Sequence, residues 1–144
     1  MIYEYCRINL KQTNYKKLPS DKFCILKDWD YSQLNSIYKE YCKYKNFKSV
    51  MPIFIEDFKE SDMLGYYDNG ELVAWSMILR YPSQLSVTAD QFAWNYKNPN
   101  LELGYNSLKN ECAYYKELGY EYLYLHGVDE YKKEFDGFEI LGPA

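Results

Sequence analysis

Arginine and histidine are scarce in this 144-residue sequence. The 17 basic residues include only two arginines, Arg7 and Arg80, and the single histidine is His126. The formal net charge is -4, and the lysines are scattered among acidic residues. Surfaces that bind nucleic-acid phosphates usually cluster arginine and lysine, so this charge balance argues against a general nucleic-acid groove.

Closely spaced cysteines and membrane-spanning runs are also lacking. The four cysteines lie far apart in sequence, whereas structural metal sites use closely spaced pairs. We therefore expect reduced thiols and no bound metal. No apolar run is long enough to cross a membrane, and the N-terminus does not have the basic and apolar segments of a signal peptide. These two absences predict a cytoplasmic protein that does not bind membranes.

Hydrophobic residues, by contrast, make up 47% of the chain, which is enough to fill the core of a domain of this length. We therefore predict a single domain over residues 1–144. Tyrosine is the most unusual component, with 18 residues. Because each tyrosine carries a hydroxyl group on an apolar ring, some of these side chains are expected at the surface or in a site.

The first part of the sequence predicts two strands and a helix. Alternating residues at 2–8 and 23–26 indicate the strands. Asp30 stands three residues before Gln33, which is a capping-box spacing, and one helical face then carries Leu34, Ile37, Tyr38, Tyr41 and Cys42. Pro52 opens an acidic segment over 52–62, for which we predict one or two helical turns.

The middle of the sequence predicts a three-stranded antiparallel meander over residues 63–96. Asp68, Asn69 and Gly70 separate two apolar runs, and such residues tolerate the positive φ that a tight hairpin turn requires. The run after Pro82 supplies the third strand.

Residues 101–127 predict a helix that ends at Gly119 and a strand that follows it. One face of this helix carries Leu101, Tyr105, Leu108, Cys112 and Tyr115, and we assign the solvent-facing side to Glu102, Lys109, Glu111, Lys116 and Glu117. The helix opens at Gly104 with two small polar residues, Asn106 and Ser107. Two interpretations stay open: an anion site on the first amides of the helix, or an ordinary helix start.

The order of strands, helix, meander, helix after a glycine and strand resembles that of the GNAT acyltransferase superfamily. Within it, the phrases LGYNSL, LGY and YLYLHG, followed by EYKKEFDGFE, are similar to the branch of arginyl- and leucyl-tRNA-protein transferases. The resemblance covers residues 63–140. It implies an α+β, GNAT-like acyl-CoA N-acyltransferase fold, in which a mixed, mainly antiparallel sheet is flanked by helices.

The resemblance also implies acetyl-CoA or another acyl-CoA as cosubstrate. Its pyrophosphate would rest on amides at the helix start, where unpaired N–H groups and the helix dipole favour anions. These amides are those of Leu103, Gly104, Tyr105, Asn106 and Ser107. The chain departs from the superfamily's usual phrase, which has Arg or Gln, two residues, Gly, one residue and then Gly or Ala, because only Gly104 is present here.

Acyl transfer to an amine needs a proton acceptor, a donor to the carbonyl oxygen and an acid for the leaving thiolate. By resemblance, backbone N–H groups at Phe92, Ala93 and Trp94 would be the donors, and Tyr131 the acid. Asp90 is the predicted base, and Glu56 and Asp57 are alternatives to it.

Three aromatic residues are the predicted substrate contacts. Trp75 lies on the meander, where the alternative is a packed sheet face. Tyr124 and His126 lie on the strand after the helix, and strand ends of crossover folds collect ligands. A structural role for His126 is the alternative.

Three functional classes remain open from the sequence. The first is an N-acyltransferase that moves an acyl group, most simply acetyl, from acyl-CoA to an amine of a small molecule or peptide. The second is an aminoacyltransferase that uses charged tRNA, the one nucleic-acid partner kept open. The third is a GNAT-fold binding module without catalysis. A homodimer is also open, and so is whether the C-terminus completes the sheet or borrows a strand from a partner.

Overall fold

Seven strands form one mixed sheet in the order β2-β3-β4-β5-β6-β1-β7. The structure, a computed structural model, describes residues 4–46, 60–126 and 130–143. Its main elements are β1 (Glu4–Asn9), β2 (Phe23–Ile25), α1 (Tyr31–Tyr44), β3 (Asp62–Asp68), β4 (Glu71–Tyr81), β5 (Ser86–Trp94), α2 (Leu103–Glu117), β6 (Tyr122–His126) and β7 (Phe138–Pro143). Among the described residues, no helix is both long and apolar enough to cross a membrane.

The pairing of the sheet confirms the predicted mixed, mainly antiparallel arrangement. β5 and β6 are the parallel pair and are joined through α2. β1 runs antiparallel to both β6 and β7. The C-terminal strand therefore completes the sheet of its own chain. The acidic segment predicted over 52–62, with the alternative bases Glu56 and Asp57, falls largely outside the residues that the structure describes.

The predicted meander and its turn are confirmed. β3 and β4 pair through the turn at Asn69 and Gly70, whose φ angles are 51° and 79°. Two consecutive positive φ angles match the right-handed twist of the flanking strands, which is why asparagine and glycine are favoured there. β5 then pairs antiparallel with β4 over most of its length.

The start of α1 is also as predicted. The Asp30 carboxylate accepts a hydrogen bond from the backbone N–H of Gln33 at 3.1 Å. Capping by such a side chain is worth about 1 kcal/mol. We therefore expect Asp30→Ala to lower the free energy of unfolding in urea by about 1 kcal/mol. The exposed neighbour Asp28 is the control, and an equal loss in Asp28→Ala would contradict the capping role.

The assignment of Glu111 to the solvent-facing side of α2 is wrong. Glu111 is 3% exposed. It lies three residues after Leu108 and four before Tyr115, so it falls on the apolar face of the helix even though its side chain is a carboxyl group. The prediction failed because it sorted residues by charge and not by spacing.

The core lies on both faces of the sheet. Trp75 and Met77 of β4 pack in a cluster with Leu34 and Ile37 of α1. Ala74 and Ile78 belong to the larger cluster that contains Leu108, Cys112 and Tyr115 of α2. Ser76 shares the second face and reaches α2 through a hydrogen bond to Glu111. The alternation of β4 thus sends neighbouring side chains to different helices.

Candidate active site

β5 and β6 separate soon after they begin to pair. Their parallel register covers Ser86–Thr88 against Tyr122–Tyr124 and stops there, while β5 continues beside β4 to Trp94. A shift of register between Met77 and Ile78 lies at the same level of the sheet. The strands therefore open a gap beside α2, and a cavity of about 250 Å³ occupies it.

The walls of this cavity differ in depth. Its floor is formed by side chains that the fold buries: Ser76, Ser107, Leu108, Glu111 and Leu125. Its mouth is formed by more accessible residues: Asp90, Gln91, His126, Tyr131 and Lys132. The cavity is thus lined by polar groups at both ends, as expected of a site that orients a ligand within an apolar frame.

The structure brings three predicted site residues together at the mouth. His126 Nε2 lies 3.5 Å from Asp90 Oδ1. Tyr131 reaches the same cavity from the short turn Glu130–Glu134, and its side chain is 38% exposed. A carboxylate, an imidazole and a phenol therefore meet where a ligand would enter.

The backbone N–H groups of β5 alternate in direction, so the three predicted donors do not all face the gap. The N–H of Asn95 donates to the Val73 carbonyl of β4 at 3.0 Å. Successive N–H groups of a strand point to opposite sides. Ala93 therefore directs its N–H to β4, where Trp75 is its register partner, and the prediction that it is a donor in the site is wrong. Phe92 and Trp94 direct theirs away from β4, and of these two residues Phe92 lines the cavity.

Hydrogen bonds in the first turn of α2 reduce the number of predicted amides that are free to bind an anion. The amides of Tyr105 and Asn106 both donate to the Glu102 carbonyl, at 3.1 and 2.9 Å. The bond from Asn106 is the first of the helix that spans four residues, so the amides before it have no such partner. Of the five predicted amides, those of Leu103 and Gly104 remain best placed for an anion, because Ser107 already lies inside the helix.

Gly104 lines the cavity, and its surroundings are open. A Cβ built at this position would have no atom within 4 Å. Its φ is not among the positive ones, so backbone conformation does not require glycine here. A side chain at position 104 would therefore project into the open space beside the first turn of α2, which glycine leaves free.

Two predicted substrate contacts lie elsewhere. Trp75 is fully buried, and its indole N–H donates to the Leu34 carbonyl at 2.9 Å, so it is a core residue. The Tyr124 hydroxyl accepts a hydrogen bond from Arg7 at 3.1 Å, and Tyr124 is not among the residues that line the cavity. Alternation on β6 explains the second error, since Tyr124 points away from its neighbour Leu125.

Glu111 is the site residue that sequence reasoning missed. Its Oε2 accepts hydrogen bonds from the Tyr66 hydroxyl at 2.6 Å and from the Ser76 hydroxyl at 2.8 Å. Asn110 supports this arrangement by donating to the Tyr66 oxygen and accepting from the Leu18 amide. Burial raises the pKa of Glu111 to about 7, although the two hydrogen bonds act in the opposite direction.

One feature of the sequence indicates that Ser76 has a buried hydrogen-bond partner. Ser76 is the only side chain with a hydrogen-bonding hydroxyl in the apolar run that β4 buries, residues 72–78. A buried hydroxyl needs a partner. The helix stripe offered Glu111 at the matching position, but no rule of spacing alone says which helix will cover Ser76.

The sheet, the gap between β5 and β6 and the helix beside it match the GNAT fold that the sequence resembles, and solved structures confirm that fold. The sequence matches no protein-family model and no curated protein. The identities in the structural matches below are too low to show more than the fold.

Three solved structures illustrate the similarity. The C-terminal domain of a protein described as a lysylphosphatidylglycerol synthetase from Agrobacterium fabrum has a TM-score of 0.66 and 10% identity, over 88% of this chain and 46% of that one. A protein described as a GNAT-family acetyltransferase from Novosphingobium aromaticivorans has a TM-score of 0.65 and 12% identity, over 99% and 62%. N-myristoyltransferase from Saccharomyces cerevisiae, with bound myristoyl-CoA, has a TM-score of 0.59 and 10% identity, over 99% and 48%. The chain thus spans about half the length of the structures that it matches.

Proposed function

We propose that this protein is an N-acyltransferase that moves an acyl group, most simply acetyl, from acyl-CoA to an amine of a small molecule or peptide. The observation that carries the proposal is the cavity between the separated ends of β5 and β6, which adjoins the open first amides of α2. The fold agrees with this use, since one structural match contains bound myristoyl-CoA.

The residues around the cavity fit the cofactor's chemistry. The amides of Leu103 and Gly104 would hold a phosphate at the positive end of the α2 dipole. Lys132, which also lines the cavity, adds a cation to its walls. The cofactor supplies a thioester, whose carbonyl carbon is open to attack by an amine.

Residues of β5 and at the mouth of the cavity would act on the thioester carbonyl, the leaving thiolate and the amine. The N–H group of Phe92, which points away from β4 on a residue that lines the cavity, would stabilise the oxyanion that forms on attack. Tyr131 would protonate the departing thiolate from the mouth of the cavity. Asp90, with His126 beside it, would attract a cationic amine to that mouth and pass its released proton to solvent.

Calorimetric titration with acetyl-CoA and CoA at moderate salt tests the proposal. We expect micromolar binding by the wild type and a dissociation constant raised about tenfold or more in Gly104→Val, about 1.4 kcal/mol or more, since the branched side chain would cover the first amides of α2. Gly104→Ala should weaken binding less and leave the fold as stable or more so, because alanine favours a helix over glycine.

Glu117→Val is the matched control, because Glu117 is exposed in the last turn of the same helix. Equal affinities in the wild type and both Gly104 variants would remove the anion site. No binding at millimolar cofactor would overturn the proposed function.

Aminoacyl transfer from charged tRNA is a second candidate. It is favoured by the sequence phrases at 101–138 and by the structural match to a lysylphosphatidylglycerol synthetase domain. The net charge of -4 opposes it. A gel-shift titration with aminoacyl-tRNA at low and high salt tests this candidate. Binding through phosphate contacts should weaken steeply as the salt concentration rises. Binding to neither tRNA nor acetyl-CoA would leave a GNAT-fold binding module.

A further inference from the structure

Glu111 is a carboxyl group at the floor of the cavity, and the function proposed above gives it no role. It occupies the second turn of α2 after Gly104, so it faces the deep end of the gap whose entrance Asp90 and His126 line. Tyr66 and Ser76 donate to one of its two oxygens, Oε2. A carboxylate held in this way still has acceptor capacity for a donor that enters the cavity.

The polar groups on this floor are arranged as a chain. Asn110 donates to the Tyr66 oxygen at 3.2 Å, and Tyr66 in turn donates to Glu111 at 2.6 Å. All three side chains are buried. Such a network fixes the orientation of the carboxyl group before any ligand arrives, which is the preorganisation that a binding or catalytic group needs.

We infer that the acceptor is a primary amine whose ammonium group binds at Glu111, and that the Glu111 carboxylate takes a proton from it. This inference rests on the proposed function and names the substrate class of the same cavity. A charged donor suits a buried carboxylate on the floor of the cavity, because a nearby opposite charge favours the ionised form of the carboxyl group.

The protons and electrons of the reaction balance without another reactant. Glu111 removes one proton from the ammonium, which leaves a neutral amine with a free electron pair. That pair forms the C–N bond to the thioester carbon, and the C–S bond breaks with its electrons on sulfur. The second proton of the nitrogen replaces the one that Tyr131 gives to the thiolate. Glu111 returns the first proton to solvent by way of Asp90 at the mouth, so the products are the amide, free CoA and one proton.

The pKa of Glu111, about 7 because of burial, is suited to a group that must exchange a proton near neutral pH. Other titratable groups face it or share its cavity from the elements packed around it. They are Tyr66 of β3, Cys112 and Tyr115 of α2, Asp90 of β5, His126 of β6, Tyr131 and Lys132 of the turn Glu130–Glu134, and Tyr41 of α1.

The first test is a carbon-13 NMR titration of the Glu111 carboxyl group, assigned by the loss of its signal in Glu111→Gln. Methylammonium is the probe, because it stays charged over the pH range in question, and methanol is its neutral control. We expect methylammonium to lower the midpoint of the Glu111 titration, because a nearby cation favours the carboxylate. An unchanged midpoint at saturating methylammonium would overturn the inference.

The second test measures CoA release from acetyl-CoA with methylamine as acceptor. Glu111→Gln, which is close in shape and can still accept the Ser76 hydrogen bond, should lower kcat about 100-fold or more and leave acetyl-CoA affinity unchanged. Glu117→Gln on the exposed end of α2 should change neither. Ser76→Ala removes a bond that lowers the pKa of Glu111, so the acidic limb of its kcat/KM profile should move to higher pH.

The outcomes separate the two proposals. An active wild type with an equally active Glu111→Gln variant and an unmoved pH profile in Ser76→Ala would overturn the role of Glu111 and keep the acyltransferase. If Glu111→Gln does not fold, the Ser76→Ala profile decides. If the wild type neither binds acetyl-CoA nor releases CoA, the proposed acyltransferase function is overturned. The methylammonium titration would still decide whether Glu111 binds an ammonium group.

Discussion

Replacing Trp75 by alanine is expected to lower the free energy of unfolding by about 3–5 kcal/mol. The indole ring is fully buried in a cluster with Leu34, Met63 and Met77, so its removal leaves a cavity there, and the Leu34 carbonyl loses the hydrogen bond from the indole. The loss should be visible as a lower urea midpoint with an unchanged slope.

Trp29→Ala is the matched control. Trp29 is half-buried and also donates its indole N–H to a carbonyl, that of Leu26 at 3.2 Å. Trp29→Ala should therefore lower the free energy of unfolding much less than Trp75→Ala does. Trp75→Phe, which keeps most of the buried volume, should leave acetyl-CoA affinity as in the wild type. A small stability loss together with weaker ligand binding in the Trp75 variants would restore the substrate role that the sequence suggested.

The case of Trp75 shows where sequence patterns stop being informative. Alternation on β4 predicted a strand with two distinct faces, and the strand is there. It could not say which face meets a helix and which meets the cavity, because that depends on where α1 and α2 dock. The pattern favours Trp75 as a site residue, but Trp75 is packed in the core against α1, and its neighbour Ser76 lines the cavity.

Local signals that involve few residues were more reliable. The Asp30 cap, the Asn69 and Gly70 turn and the end of α2 near Gly119 each depend on the chemistry of one or two residues with their nearest neighbours. The separation of β5 from β6 depends instead on pairing between distant parts of the chain. The sequence alone could therefore predict the elements that border the cavity, whereas the gap between β5 and β6 depends on how those elements pair.

The buried carboxyl group of Glu111 should make the protein less stable as pH rises through neutrality. Burial raises its pKa from the usual 4.5 to about 7 in the folded state. Between these two values the folded protein binds a proton that the unfolded chain has released, so unfolding becomes easier with increasing pH. The stabilisation is fully present below pH 4.5 and is lost as pH passes about 7, and it amounts to roughly 3 kcal/mol.

Comparison with Glu111→Gln isolates this effect, because glutamine does not titrate and the other ionisable groups are the same in both proteins. The free energy of unfolding of the variant minus that of the wild type should rise by roughly 3 kcal/mol between pH 4 and pH 8, measured by urea denaturation at constant ionic strength. Glu117→Gln, at an exposed position in the last turn of the same helix, is the control for the loss of a carboxylate from α2. A flat difference for Glu111→Gln would mean that Glu111 titrates alike in the folded and unfolded chains. The floor of the cavity would then hold an ordinary carboxylate at neutral pH, still able to bind an ammonium group but poorly matched to removing its proton.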